Sequence, residues 1–405
     1  MAARYCANWL TSYMKLVKET EPSKRFHLWT AITIIAAMLG RKCEIEFGPE
    51  IVHPNLYTIL TGPPGSRKSV AIKYGTIILD KAMESQPGVT NVPDVITRQA
   101  FFQQLQAAER TDYWDGAPFV HSSLFVVASE LVTFFQGKDI DQRLADLCAL
   151  YDGKSTFEYK TKTSGAVYAI NPSVWILGAT TPNWIQVSMP QLAVGGGMTS
   201  RTIFVVSTKK GRHISYTKMP AFDKELTNHL VFDLTEIRKL IGRFHFDTTA
   251  KVAYDDWYEN IYPNHNIKDP RLLTYAERLP SMIIKVAMVN SAAKGDSMVI
   301  TELDLRQTIQ FFNDIHITMP LAFGGHGMSR LSAQTNLVKE LLRNRILISE
   351  AEILATLDMH ISKYDLDQVK DTLLTSRFCR IELKNDQKYW FLSEAQIKQG
   401  VEVND

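Results

Sequence analysis

Apolar stretches alternate with stretches of helical periodicity along the first half of the chain. Residues 3–19 and 23–40 carry a helical pattern split at Glu21-Pro22-Ser23, where Pro22 and Ser23 suit a helix start. Cys43-Glu44-Ile45-Glu46-Phe47 alternates and predicts a short strand. Leu56-Tyr57-Thr58-Ile59-Leu60 is a β-prone apolar run, followed by a loop and then by a helix-prone run over 70–81. A helix over 99–110, a buried strand over 123–128, a helix over 141–150 and buried strands over 174–178 and 202–206 continue the alternation. Strands alternating with helices predict an α/β sheet.

After Gly211 the pattern changes to a mostly helical one over 223–323, ending at the glycine-rich Phe323-Gly324-Gly325-His326-Gly327, which reads as a hinge. Residues 331–395 read helix, helix, helix, strand, turn, strand, with the turn at Lys384-Asn385-Asp386-Gln387; that order predicts a winged helix. The divisions expected are an N-terminal helical region (1–50), a nucleotide-binding core (51–210), a helical lid (211–327) and a winged-helix domain (328–405).

Composition narrows the class. With 405 residues, 45% hydrophobic and 22% charged, the chain has the make-up of a globular protein of two or three domains. A net charge of +2 argues against a surface that coats nucleic acid, while leaving room for a local basic groove. Cys6, Cys43, Cys148 and Cys379 form no C-x-x-C pair, so neither a zinc site nor a disulfide framework is expected, and they read as reduced thiols. The N-terminus has no signal-peptide pattern, and the longest apolar run, 31–39, is too short to span a bilayer. The expectation is a cytoplasmic protein with no membrane partner.

The chemistry begins at Gly62-Pro63-Pro64-Gly65-Ser66-Arg67-Lys68-Ser69, between a predicted strand and a predicted helix. That order wraps backbone N–H groups around a phosphate and aims a helix N-terminus at it. Lys68 then meets the β- and γ-phosphates of ATP, and the Ser69 hydroxyl holds Mg²⁺. Arg67 stands where the usual pattern has its second glycine. A residue with a Cβ fits there only with a helical backbone, which is expected of a residue opening a helix.

Further candidates follow in order. The buried strand Leu124-Phe125-Val126-Val127-Ala128 ends in Ser129-Glu130, where strand-end polar groups face the ligand crevice. Glu130 is the candidate for polarising the attacking water, and Ser129 supports the metal's hydration shell in the place of the more common Asp. The strand Val174-Trp175-Ile176-Leu177-Gly178 runs into Ala179-Thr180-Thr181-Pro182-Asn183, with Asn183 the leading γ-phosphate sensor and Thr180 and Thr181 its rivals. Arg201, after Gly195-Gly196-Gly197 and before a strand, suits an arginine finger reaching a neighbouring subunit. Between these lies a predicted β-hairpin over 155–170 with Lys160 and Lys162 near its tip and Tyr159 and Tyr168 nearby, a candidate grip for a nucleic-acid backbone. Lys209, Lys210 and Arg212 form a small cluster that reads as a solvated loop. The expected recognition helix over 363–376 mixes Asp365, Asp367 and Asp371 with Lys363 and Lys370, a poor face for DNA.

The ordered set Lys68-Ser69, Ser129-Glu130, basic hairpin, Asn183, Arg201 resembles the hexameric helicase ATPases of the AAA+ type. It is most similar to superfamily-three-like helicases and the primase-associated helicase family of phages and mobile elements. Tyr151-Asp152-Gly153-Lys154 through Gly178-Ala179-Thr180-Thr181-Pro182, and Leu272-Leu273-Thr274-Tyr275-Ala276-Glu277-Arg278-Leu279-Pro280, carry the resemblance further. It implies a homo-oligomeric ring, often a hexamer, that hydrolyses ATP between subunits and translocates on single-stranded DNA. It also implies a second sensor from the lid, filled by Arg278 or Lys285, and a separate primase or polymerase for any priming. Arg67 and Ser129 depart from the family pattern and point to slower turnover. The other reading is a non-motor AAA+ switch, a loader, transposition regulator or defence-complex scaffold that assembles on ATP.

Overall fold

A computed structural model describes residues 3–85, 88–137, 139–161, 165–189, 197–215, 223–265, 267–324, 330–345, 347–357, 361–384 and 387–393. The chain divides into two compact units, Met1–Ala322 and Phe323–Asp405.

The first unit runs α1 (Trp9–Leu16), α2 (Lys24–Leu39), β1 (Cys43–Phe47), β2 (Glu50–Val52), β3 (Tyr57–Thr61), α3 (Lys68–Ser85), β4 (Thr90–Val92) and α4 (Arg98–Ala107). It continues with β5 (Glu109–Trp114), β6 (Ala117–Ala128), α5 (Leu131–Phe134), α6 (Ile140–Tyr151), β7 (Thr156–Thr161), β8 (Gly165–Ile170), β9 (Pro172–Thr180) and α7 (Pro182–Ser188). It closes with β10 (Thr202–Val206), α8 (Lys224–Arg238), β11 (Gly242–Phe246), α9 (Thr248–Asp256), α10 (Leu273–Lys294), β12 (Val299–Ile300) and α11 (Glu302–His316).

The central sheet has the order β10-β3-β9-β6-β4, all parallel, with β5 added antiparallel to β6. Every residue of β3, β9 and β10 is buried, as expected of parallel strands covered on both faces. Helix α2 is buried at all but Lys24, Arg25 and Leu28 and packs on α3, α8 and α10. Its contact with α3 depends on Gly75, where a Cβ would lie 2.5 Å from both Ile34 Cδ1 and Thr30 Cγ2. No helix among the described residues is long and apolar enough to cross a membrane.

Two features depart from the pattern-based expectation. Strand β5, where the expected helix over 99–110 stops short at Ala107, forms a hairpin with β6 through Asp115-Gly116, both at positive φ (48° and 81°). That dipeptide is the standard two-residue hairpin turn, so the signal was present. A second sheet, β12-β11-β1-β2, joins the N-terminal region to the segment expected to be a mostly helical lid. Cys43, Glu44 and Ile45 of β1 pair in parallel with Gly242, Arg243 and Phe244 of β11. Residues 1–50 and 211–322 therefore share a sheet, and the boundaries expected at 50 and 210 do not separate compact units. The two units meet between Ala322 and Phe323, five residues before the division expected at 327; Gly325, His326 and Gly327 of the segment read as a hinge lie outside the described residues.

The second unit contains α12 (Arg330–Arg345), β13 (Leu347–Ser349), α13 (Glu350–Thr356), α14 (Lys363–Thr375), β14 (Cys379–Lys384) and β15 (Gln387–Leu392). The strands pair antiparallel in the order β13-β15-β14. Leu366, Val369 and Leu373 of α14 join Val338, Ile353 and Trp390 in one core. Ser349 with Glu352 and Ser362 with Asp365 form reciprocal caps that start α13 and α14.

Candidate active site

Three neighbouring parallel strands end at one cleft. Strand β3 delivers the 62–67 loop, β9 delivers Thr180 and Thr181, and β6 delivers Ser129 and Glu130. Because β9 lies between β3 and β6, the threonine tip sits between the phosphate-loop candidate and the carboxylate. The resulting cleft, about 540 Å³, is lined by Gly65, Arg67, Lys68 and Ser69 on one side, Ser129, Glu130 and Leu131 on another, and Thr180, Thr181 and Trp184 between them.

The loop is held by its own backbone and by sterics. Ser66 N donates to Pro63 O (3.2 Å), and Gly62 N donates to Thr180 O (3.3 Å), which ties the loop to the tip of β9. A Cβ on Gly62 would lie 2.5 Å from Ser207 O and 2.8 Å from Ser66 Oγ, so only glycine fits. Gly65 takes φ +78°, the left-handed region that glycine enters without penalty. Lys68 opens α3, and its ammonium donates to Gly62 O (2.7 Å), Pro63 O (3.0 Å) and Ser66 Oγ (3.2 Å). Burial lowers its pKa from the ordinary lysine value. These neutral acceptors hold the ammonium at the mouth of the loop without neutralising it. An incoming phosphate therefore offers a charge-assisted partner in exchange for neutral ones.

Arg67 corrects the expectation of a helical backbone: its φ is +64°. Glycine enters that left-handed conformation freely, whereas it costs a residue with a Cβ about 1–2 kcal/mol. Part of the cost is offset by an ion pair from Arg67 Nε to Glu21 Oε2 (2.6 Å). Exposed pairs of this kind contribute little, because water and salt screen them. The separation is testable with two variants. Arg67→Ala loses the ion pair and keeps the strained backbone, whereas Arg67→Gly loses the ion pair and relieves it. Chemical denaturation is expected to place the glycine variant above the alanine variant by about 1 kcal/mol. Equal stabilities would remove the strain argument.

Glu130 lies at the N-cap of α5, extended (φ −131°, ψ 96°), and its side chain makes no capping hydrogen bond. Both Ser129 and Glu130 are exposed to the cleft. Thr181 caps α7, its side chain accepting from Trp184 N. Asn183 lies one turn position into α7, exposed and outside the cleft lining, so the structure brings the rival threonines to the site rather than Asn183. Trp184 lines the cleft and was not anticipated; a lone Trp after Pro-Asn carries no distinct signal. An oxygen-rich edge of Ser69, Ser129 and Glu130 beside Lys68 suits Mg²⁺ held largely by phosphate oxygens and water. No three-residue His/Cys/Asp/Glu cluster exists among the described residues to hold a metal by itself.

Arg201 and Arg278 are elsewhere. Arg201 precedes β10, whose first residue Thr202 pairs with Tyr57 at the start of β3. The phosphate-loop candidate follows the other end of β3, so the length of a five-residue strand, about 16 Å, separates the two. Arg201 is buried and donates from Nε (2.9 Å) and Nη2 (2.5 Å) to Asp152, and from Nη1 to Gly197 O (2.8 Å). Arg278 Nη1 donates to the same Asp152 (3.3 Å), and Lys285 is buried against Asn55, just before β3. Neither Arg278 nor Lys285, the candidates for a second sensor, lines the Lys68 cleft of the same chain; both line a separate cleft.

The hairpin β7–β8 forms as expected, pairing Thr156 with Ile170 through Thr161 with Gly165. Lys160 is exposed and pairs with Glu158 (3.2 Å), which also accepts from Tyr168 Oη (3.2 Å). Tyr159 faces the other way, stacked on Phe102 with Arg98 over its ring. Lys162 lies outside the described residues. In the small basic cluster, Lys210 pairs with Glu21 and Arg212 with Glu19, in keeping with a neutralised loop. On α14, Lys363 pairs with Glu350 and Asp367, and Lys370 with Asp367. No protein-family model matches the chain, and no curated protein matches it in sequence.

Proposed function

We propose that the chain is a P-loop ATPase of the AAA+ type that assembles into a ring, often a hexamer, and couples ATP hydrolysis to movement along single-stranded DNA. The observation that carries the reading is the convergence of Lys68-Ser69, Ser129-Glu130 and Thr180-Thr181 on one cleft from the ends of three adjacent parallel strands. Phosphoryl transfer needs positioning and charge stabilisation more than covalent chemistry, and the cleft provides a cation, a carboxylate and hydroxyls at converging strand ends. Lys68 binds the β- and γ-phosphates, Ser69 and Ser129 support Mg²⁺, Glu130 polarises the attacking water, and Thr180 and Thr181 sense the γ-phosphate. Bound Mg²⁺ neutralises charge on the phosphate oxygens.

Arg201 is proposed to act on a neighbouring subunit's nucleotide. Its position at the opposite end of the sheet from Lys68 suits a heterologous, ring-closing interface. Asp152 must release it first, which makes the finger gated. The hairpin carrying Lys160 and Lys162 is the proposed DNA grip, the unit Phe323–Asp405 a winged helix that contacts protein, and a separate primase or polymerase the proposed co-worker in phage or mobile-element replication in the cytoplasm. The second reading, a non-motor switch that assembles on ATP, is favoured by the same Asp152 lock on Arg201 and by the Glu158 partner that neutralises Lys160.

Steady-state ATP hydrolysis with and without single-stranded DNA, together with particle mass with and without nucleotide, separates the two. A motor shows DNA-stimulated turnover that is lost in Lys160→Ala/Lys162→Ala. A switch shows nucleotide-dependent assembly and slow turnover that DNA leaves unchanged. A monomer under all conditions with no turnover defeats both.

A further inference from the structure

A second polar cleft, about 700 Å³, opens where the central strands begin, around Asn55 before β3 and Asn171 before β9. Three cationic side chains line it: Arg41, Arg278 and Lys285. Arg41 and Lys285 are each only 5% exposed. Two of the cleft's three carboxylates are ion-paired elsewhere, and the third faces solvent. Asp152 is shared by Arg201 and Arg278, Glu44 pairs with Arg243 (3.0 Å), and Glu50 is exposed on β2. Among the described residues, Arg41 and Lys285 therefore have no ion-pair partner. Lys285 Nζ donates to Asn55 Oδ1 (2.5 Å) and Asn55 O (3.2 Å) and sits 3.8 Å from the centre of the Tyr151 ring. Arg41 Nη2 donates to Gly153 O (2.8 Å), while its Nε is buried without a partner.

The hydrogen bonds of both buried cations go to neutral acceptors, and the carboxylates that act on them through space, Glu44 on Arg41 and Asp152 on Lys285, are ion-paired to other arginines. Desolvated charge is stabilised mainly by a directly paired opposite charge, so the arrangement is under-compensated. Burial shifts both in the direction that reports this, Arg41 down to about 10 and Lys285 well below the ordinary lysine value. A ligand anion supplies the missing charge. Guanidinium forks beside an ammonium match the several oxygens of a phosphate better than a single carboxylate. The cleft has the size of a small-molecule site, too small to enclose a polynucleotide.

We infer that this cleft is a second anion site, distinct from the Lys68 cleft, that takes a small phosphate compound through Arg41, Arg278 and Lys285. The inference does not depend on the ATPase reading. The test is isothermal titration calorimetry of the full chain with inorganic pyrophosphate and, in a separate arm, with adenosine monophosphate. Lys68→Ala is expected to retain one equivalent for at least one of the two probes, and the tighter probe identifies the source of the phosphate. Adding Lys285→Met to Lys68→Ala should weaken that equivalent at least tenfold. Arg278→Gln, at a half-exposed position that folding tolerates, should do the same if the buried change disrupts the fold. Absence of binding by Lys68→Ala to either probe, or binding unchanged by Arg278→Gln, overturns the inference. If the Lys68 cleft binds no phosphate, wild type and Lys68→Ala will show the same single equivalent, so failure of the ATPase reading looks different.

Discussion

Lys68→Ala is expected to abolish ATP turnover. The ammonium is positioned by three oxygen acceptors at the mouth of the 62–67 loop. Exchanging two carbonyls and a hydroxyl for a phosphate is where binding free energy arises, because a hydrogen bond to a charged group contributes about 1.5–3 kcal/mol. That corresponds to an affinity loss at this cleft of about 10- to 150-fold. Charge also develops on the transferring phosphoryl group, and removal of one preorganised donor to such a group typically costs a further factor of about 10²–10³ in turnover. The fold should survive. Lys68 is only partly buried, its three acceptors lie in the same loop, and alanine favours the first turn of α3. The measurement is phosphate release under saturating ATP and Mg²⁺, with a thermal melt to confirm folding. Turnover within a few-fold of wild type would show that the loop is an ordinary strand-to-helix turn.

The second large effect is expected at Glu130. Its carboxylate caps nothing and points into the cleft from the end of β6. Glu130→Gln keeps the size and polarity of the side chain and removes its capacity to accept a proton from water. Positioned general bases contribute about 10²–10⁴ in rate, so turnover should fall by that factor while nucleotide binding at the Lys68 cleft stays near wild type. The two variants thus separate binding from chemistry. Equilibrium binding of a non-hydrolysable ATP analogue beside single-turnover hydrolysis checks the split. Equal loss of both in Glu130→Gln would assign the carboxylate to holding the ligand rather than activating water.

The parts of this architecture that were legible in the amino-acid sequence are those whose signal is local. The strand Thr202–Val206 and the run before the 62–69 loop are continuous apolar segments bounded by polar residues. The hairpin over 156–170 alternates on both sides of its turn. What escaped was set by partners distant in sequence. Strand β11 is five residues long, and its place in a sheet comes from β1, two hundred residues earlier. Such a pairing leaves no trace in a window of ten residues. The Asp115-Gly116 turn was readable, yet the charged residues of β5 masked the strand leading into it. At the site, residue types were informative and geometry was not. Thr180 and Thr181 could be told from Asn183 only when α7 was seen to start at Pro182 and leave Asn183 exposed, outside the cleft lining. Arg67 in the left-handed region, Arg201 locked on Asp152 and the buried Arg41 each depend on a backbone conformation or a contact that no spacing reports.

In the proposed reaction Lys68 and Glu130 act on one triphosphate in the cleft at the ends of β3, β9 and β6. The most direct test is Mg²⁺-dependent phosphate release from ATP by wild type, Lys68→Ala and Glu130→Gln measured side by side on folded protein. Turnover by wild type that is lost in both variants is the predicted result. No turnover by wild type, or turnover that neither substitution changes, would contradict it.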